Sequence, residues 1–262
     1  MTELSFAVQR AFISIEFNDA PAISKNKRTD MKFKTIACFA AVAALLAGCS
    51  SMNSSGTAHA PSPRFSHPRD INNPYLPLAS LKQDILQNEK EHVERTVRPE
   101  IHKTFQVGGQ TVEALTVEDR EFNSAGELIE ATRDYFAQDD GGNVYYLGED
   151  VDEYNHGKIT GHSGAWLFGK DTQRLGLLMP AHPKVGDKFK SEDAPPITWE
   201  QDEVISLSET AIVPAGTFQN CVKIKENASD GDTEYKLYAP GVGCVEEIEG
   251  TNPLPLKSHK TN

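Results

Sequence analysis

The chain has 262 residues, 26 basic against 38 acidic, for a formal net charge of −12. That balance repels nucleic acid and anionic headgroups, so nucleic acid is excluded as a partner. The length leaves room for one domain with a real core once the terminal segments are set aside.

In chain order, residues 1–30 lack a sustained amphipathic period and precede a second methionine, Met31. From there "MKFKTIACFAAVAALLAGCSS" carries Lys32 and Lys34, an apolar run from Ile36 to Leu46, then Ala47 and Gly48 before Cys49. A charged start, a short apolar centre and small residues at the end make an export signal, and the run is too short to span a bilayer. The ending Leu46-Ala47-Gly48-Cys49 resembles the lipobox of bacterial lipoproteins, which implies cleavage between Gly48 and Cys49 and acylation of the Cys49 thiol. Residues 1–30 are then an over-extended start and 31–48 a lipoprotein signal peptide. Several acyl chains on one cysteine hold firmly to a lipid bilayer, because each buried methylene contributes roughly 0.8 kcal/mol. Ser50, rather than Asp, after the cysteine resembles the pattern sent to the outer membrane, which implies a domain in the periplasm or at the cell surface. Residues 49–70, rich in Ser, Pro, His and Ala, read as a flexible tether. What remains after residue 48 holds 20 basic and 34 acidic groups.

Residues 71–250 read as β-structure nearly throughout. "LASLKQDILQNEKEHVERTV" alone has helical spacing, at Leu81, Ile85 and Val93, with weak caps. "QTVEALTVEDREF" and "ELIEATRDYFAQ" alternate about a turn at 124–127 and predict a hairpin. Asp139 to Gly142 suits a tight turn before "NVYYLGEDVDEY", and Asn155-His156-Gly157 suits another before "KITGHSGAWLFG". Residues 198–250 predict four short strands, with Asp230-Gly231 at a hairpin tip and Pro240-Gly241-Val242-Gly243 at a bend or bulge. No fixed-period repeat and no second linker is evident. The expectation is one mainly β domain of antiparallel meandering strands, forming a curved sheet or partly open barrel, with 251–262 as a flexible tail.

Five stretches together resemble a widespread group of uncharacterised bacterial secreted proteins and lipoproteins: "NNPYLPL" (72–78), "TRDYFAQDDGGNVYYLGEDVDEYNHGKI" (132–159), "GLLMPAHPKVGDKFK" (176–190), "VPAGTFQNCVKIKE" (213–226) and "YAPGVGCVEEIEG" (238–250). The chain departs from that group at Tyr145, where tryptophan is expected, and at Cys244, where an aliphatic residue is usual. The resemblance implies an address and an architecture, not an activity. "PAGTF … Y-x-PGVG" also resembles exported proteins with a curved sheet related to lipoprotein carriers, a likeness of fold that assigns no function.

Candidate chemistry is sparse. In "GEDVDEY" strand alternation puts Asp150 and Asp152 on one face and Glu149 and Glu153 on the other. Asp150 and Asp152 are a candidate cation site, although calcium wants six to eight converging oxygens and a solvated acidic strand end explains them as well. Asp134 and Glu149 could face one another across the 139–142 turn as a general acid/base pair. His156, His162 and His182 are scattered and do not make the closed tetrahedral spacing of a zinc site, so neither metal nor cofactor is expected. "GHSG" (161–164) lacks the G-x-S-x-G elbow, and no phosphate-cradling loop is present.

Cys221 and Cys244 are the thiols left beside Cys49 once the leader is removed, in an oxidising compartment. About an Asp230-Gly231 tip they lie two strands apart, about 9.6 Å, against the roughly 4.4–6.8 Å that a disulfide needs. Only a sheet folding sharply at the bend brings them together, and the pairing stays open. Tyr135, Tyr145, Tyr146 and Trp166 on consecutive strands are candidates for a ligand face on a concave sheet, against the alternative of core packing on one side and surface tyrosines on the other. Taken together these features favour a non-enzymatic outer-membrane lipoprotein that binds a small apolar ligand or an envelope protein. The alternatives are an envelope hydrolase using carboxylates near 134–153 and a purely structural envelope component.

Overall fold

The computed structural model describes residues 62–229 and 231–262. The segments expected as an over-extended start (1–30) and a signal peptide (31–48), with Cys49 and residues 50–61 of the expected tether, lie outside the described residues. All regular structure described is strand: β1 (Leu81–Gln87), β2 (Glu91–Val97), β3 (Lys103–Val107), β4 (Gln110–Asn123), β5 (Leu128–Gln138), β6 (Val144–Asn155), β7 (Lys158–Gly161), β8 (Trp166–Leu167), β9 (Gly176–Met179), β10 (Lys188–Ala194), β11 (Thr198–Val213), β12 (Gly216–Ala228), β13 (Thr233–Ala239), β14 (Gly243–Glu249) and β15 (Asn252–Thr261). They form one sheet in the order β10-β11-β12-β13-β14-β15-β1-β2-β4-β5-β6-β7, with β3 on β4 and with β8 and β9 on β6. Each named pairing is antiparallel, as expected of a chain whose strands are joined by short turns.

The turns form where the sequence supplies their chemistry. Between β4 and β5, Asn123 Oδ1 accepts from the amides of Ala125 and Glu127, and Gly126 takes φ 76°. Between β5 and β6, Asp139 Oδ1 accepts from Asn143 N at 2.8 Å and Gly142 takes φ 87°. His156 and Gly157, at φ 49° and 73°, give the two positive-φ centres that the twist of a two-residue hairpin favours.

Three expectations are corrected. The stretch with helical spacing is the hairpin of β1 and β2. Asn88 breaks it, its side chain accepting from the amides of Lys90 and Glu91. Register shifts in the pairing of β1 with β15, at Leu81/Gln83 and Ile85/Leu86, interrupt the alternation and leave a spacing that mimics a helix. The expected tail is β15, an inner strand: Asn252–Pro255 pair with β14 and Leu256–Thr261 with β1. Pro253 and Pro255 fall in the half with a single neighbour, where a missing amide costs no ladder bond. The tether is shorter than 49–70. Phe65 packs on Tyr145 with ring centroids 5.7 Å apart, Ser66 N donates to Asp140 Oδ1 at 2.8 Å, and Gln138 N donates to Pro68 O at 2.9 Å.

The sheet curls until its ends approach without joining in a ladder. At this seam a Cβ on Gly176 of β9 would lie 1.9 Å from the carbonyl oxygen of Ser191 on β10, so only glycine permits the contact. Thr172 Oγ1 bridges the same gap, donating to Asp193 O at 2.7 Å. One end of the curl is stoppered by the "NNPYLPL" segment. Asn73 donates from Nδ2 to Gly142 O and Pro180 O, its amide donates to Gln138 Oε1, and Gly241 N donates to Pro74 O. Leu76 and Leu78 project from this stopper into the principal apolar core with Val117, Phe136, Tyr146 and Tyr238. On the outer side, β3 and Phe65 cover Tyr135, Ala137 and Leu147, and a further cluster joins Ala211, Cys221, Leu237 and Leu256.

Candidate functional site: an acid-lined concavity

The curled sheet encloses a concavity of about 310 Å³. Its stoppered end is apolar, with Leu76, Leu78, Phe136 and Leu178. Toward the opposite end it is lined by carboxylates, 13 in all, with Arg95 and Lys236 as the two cations among its lining residues. The strand register places the acids. Glu226, Glu234 and Glu249 stand directly opposite one another across β12 to β14, and the row continues to Asp202 on β11, opposite Glu226 but outside the lining. Glu121, Glu130 and Glu153 do the same across β4 to β6. Like charges directly opposite on a sheet destabilise it, so these two rows work against the fold that holds them.

Burial sharpens the effect. Glu121 is 7 % exposed, and its Oε1 has no hydrogen-bond partner. Burial, together with the charges of Glu130, Glu91 and Glu247, pushes its carboxyl up to about 9. Burial and then Glu247, Glu234 and Glu249 push Glu91 up to about 8, so Glu91 links the two rows. Glu234 rises to about 7 through burial, against the pull of Lys236. Glu247 is the exception: burial raises it, but the Arg95 and Lys236 charges outweigh that and hold it below its usual value. Arg95 reaches Asp119 from Nη2 at 2.7 Å and Glu247 at 3.2 Å. Lys236 Nζ lies 2.7 Å from Glu226 and 3.5 Å from Glu234.

Asp134 and Glu149 are brought together as direct partners across β5 and β6, both buried and both on the concave wall. Burial and then Asp119 push Asp134 up to about 7, opposed by a 2.5 Å bond donated by Tyr146 Oη.

The expected aromatic face is not one face. Alternation sends Tyr146 inward, where its ring packs on Trp166 at 5.4 Å and on Phe136 at 4.9 Å. Tyr135 and Tyr145 point to the outer side. Tyr135 packs on Phe105 and donates to Asp150 at 2.6 Å, and Tyr145 packs on Phe65. All four rings are therefore engaged by the protein's own side chains.

Asp150 and Asp152 also lie on the outer side, each already matched by a cation. Lys103 Nζ is 3.2 Å from Asp150, and Asp152 lies 3.1 Å from both Arg133 and His162. Although burial pulls it upward, bonds from Tyr135 and Lys103 hold the Asp150 carboxyl below its ordinary value. Cys221 and Cys244 are free thiols on opposite faces: Cys221 belongs to the outer cluster, while Cys244 lines the concavity. The sheet does not double over at the 240–243 bend, so no disulfide joins them.

Sequence reasoning missed the two acid rows. Their signal is positional: Glu91, Glu121, Glu130, Glu153, Glu226, Glu234 and Glu249 each lie within four residues of a turn, all at the same end of the curl.

Fold and site together define a curved antiparallel sheet with an apolar stopper and an acidic inner wall. A scan against protein-family models finds no match, and a search of curated proteins finds none. Among solved structures, a Parabacteroides distasonis protein described as a lipoprotein is 13 % identical, with TM-score 0.40, covering 71 % of this chain and 98 % of that one. A Bacteroides fragilis protein described as exported, with a YmcC-like fold, is 14 % identical, with TM-score 0.35, covering 76 % and 99 %.

Proposed function

We propose that the chain is a lipid-anchored protein of the bacterial outer membrane that binds, without catalysis, a small organic cation in its acid-lined concavity. The observation that carries the reading is the wall of 13 carboxylates with two cations around an open space of about 310 Å³. That volume is of the size of small-molecule sites, about 300–1,000 Å³. The ligand it suits has ammonium groups for the acidic wall and an aliphatic body for Val117, Phe136 and Leu178. This replaces the apolar ligand suggested by the aromatic residues, because of those four rings only Tyr146 lines the concavity. The anchoring half rests on Leu46-Ala47-Gly48-Cys49.

Titrating the full chain with spermidine at low and high salt tests the binding half. Saturable binding that weakens with salt, and that falls when Glu130 and Glu153, which face one another on the wall, become glutamine, is expected. Failure of spermidine to bind at low salt, or co-purification of an uncharged lipid in native mass spectrometry, refutes it. Radioactive palmitate should label the wild type and not Cys49→Ser.

A second reading, an envelope hydrolase, draws on one observation: Asp134 faces Glu149, with its carboxyl up at about 7. It predicts turnover of an ester or glycoside substrate that Asp134→Asn abolishes.

A further inference from the structure

We propose that Glu200, Asp202 and Glu226 form a binding site for a hard divalent cation, calcium, in the β11–β12 wall. Glu200 and Asp202 are two apart on β11 and share its inner face, and Asp202 stands directly opposite Glu226 on β12. One oxygen from each of the three carboxylates lies within 4.8 Å of the others, the span that a single ion at the centre can bridge.

A second observation points to a ligand. Asp202 is 1 % exposed, and its Oδ1 has no hydrogen-bond partner. A buried oxygen without a partner, directly opposite another buried carboxylate, costs stability unless something positive arrives. Lys236 acts on Asp202 through its charge, but its ammonium sits on Glu226 and Glu234 and leaves the Asp202 Oδ1 without a bond.

The donor set names the class. All three ligands are carboxylates, with no thiol or imidazole among them, which selects hard cations over zinc or copper. Calcium accepts six to eight oxygens in irregular geometry, and three carboxylates can supply most of them, with water completing the shell. Magnesium demands a regular octahedron and sheds water reluctantly, so a buried and irregular set suits it less. Ser191 Oγ steadies the site by donating to Glu200 Oε2 at 2.8 Å. Lys236, which now sits on Glu226, remains within 3.5 Å of Glu234 and can stay there when the ion engages Glu226.

This inference goes beyond the organic-cation reading. Asp202 does not line the concavity, so a bulky amine cannot satisfy it, and either proposal can fail alone.

Equilibrium dialysis of the full chain against radioactive calcium, at fixed ionic strength and with melting temperature followed in parallel, tests the site. The wild type and Asp150→Asn, an acid lost from the outer face, should each retain a single ion and melt higher with calcium. Asp202→Asn and Glu226→Gln should lose affinity at least about tenfold, together with the calcium-dependent rise in melting temperature. Asp202→Asn keeps the side-chain shape and removes a repulsion, so it reports even if Glu226→Gln fails to fold. No calcium on the wild type at millimolar concentration, undiminished binding in Asp202→Asn, or several weak ions whose number falls with salt would each overturn the proposal.

Discussion

Glu121→Gln should make the folded protein more stable, and by an amount that grows with pH. The buried carboxyl keeps its proton up to about 9 when folded, whereas in the unfolded chain it titrates from its ordinary 4.5. Between those values the folded state holds a proton that the unfolded chain has released. Stability from this group is therefore fully present below about pH 4.5, declines as pH rises, and levels off near pH 9. Each pH unit in that window is worth about 1.4 kcal/mol, so from pH 5 to pH 8 the wild type should lose about 4 kcal/mol through Glu121 alone. Glutamine fills the same space and does not titrate. Urea unfolding of the full chain, followed by tryptophan fluorescence at pH 5, 6, 7 and 8, measures the difference. The gap between variant and wild type should be smallest at pH 5, about 1 kcal/mol or less, and widen steadily. Two curves that stay parallel across that range would show that Glu121 is solvated and charged throughout, and the reading of the acid rows would fall with it.

Other outcomes follow from the same geometry. Lys236→Met leaves Glu226 and Glu234 facing one another without their ammonium, and should cost about 3–5 kcal/mol at pH 7; urea unfolding should find the loss smaller at pH 5, where Glu234 is protonated. Gly176→Ala drives a methyl into the Ser191 carbonyl, so it should cost roughly 1–3 kcal/mol and raise amide exchange along residues 172–179 and 188–194. Cys221 and Cys244, buried and with thiols pushed up first by burial, should resist alkylation in the folded protein. In urea without reductant both should label, as peptide mass spectrometry would show; a need for reductant would refute their separation.

The architecture was legible because alternation and turn chemistry agree over most of the chain. The β4–β5, β5–β6 and β6–β7 hairpins each carry both signals. Where one signal was damaged, the reading went astray. Bulges in β1 spaced its apolar residues like a helix, and Pro253 and Pro255 disguised a strand as a tail. The site was less legible for a physical reason. A glutamate on a strand reads as solvated unless its inward direction and the strand opposite are known. Glu121 and Glu130, in adjacent strands, lie nine positions apart in the chain, whereas Glu91 and Glu249, which feel one another's charge, lie far apart in it. The pairing of Asp134 with Glu149 could be anticipated because a single short turn sets it; the row from Asp202 to Glu249 needed the register of three hairpins at once.

The place of β15 has a bearing on biogenesis. Its first half zips to β14 and its second half to β1, so residues 81–86 wait for partners at 256–261. A polypeptide that emerges amino end first must therefore hold β1 with one edge unpaired until almost the whole domain has emerged. Such distant pairing is slow to form, and the open edge of β1 is the surface on which a chaperone would act in the meantime.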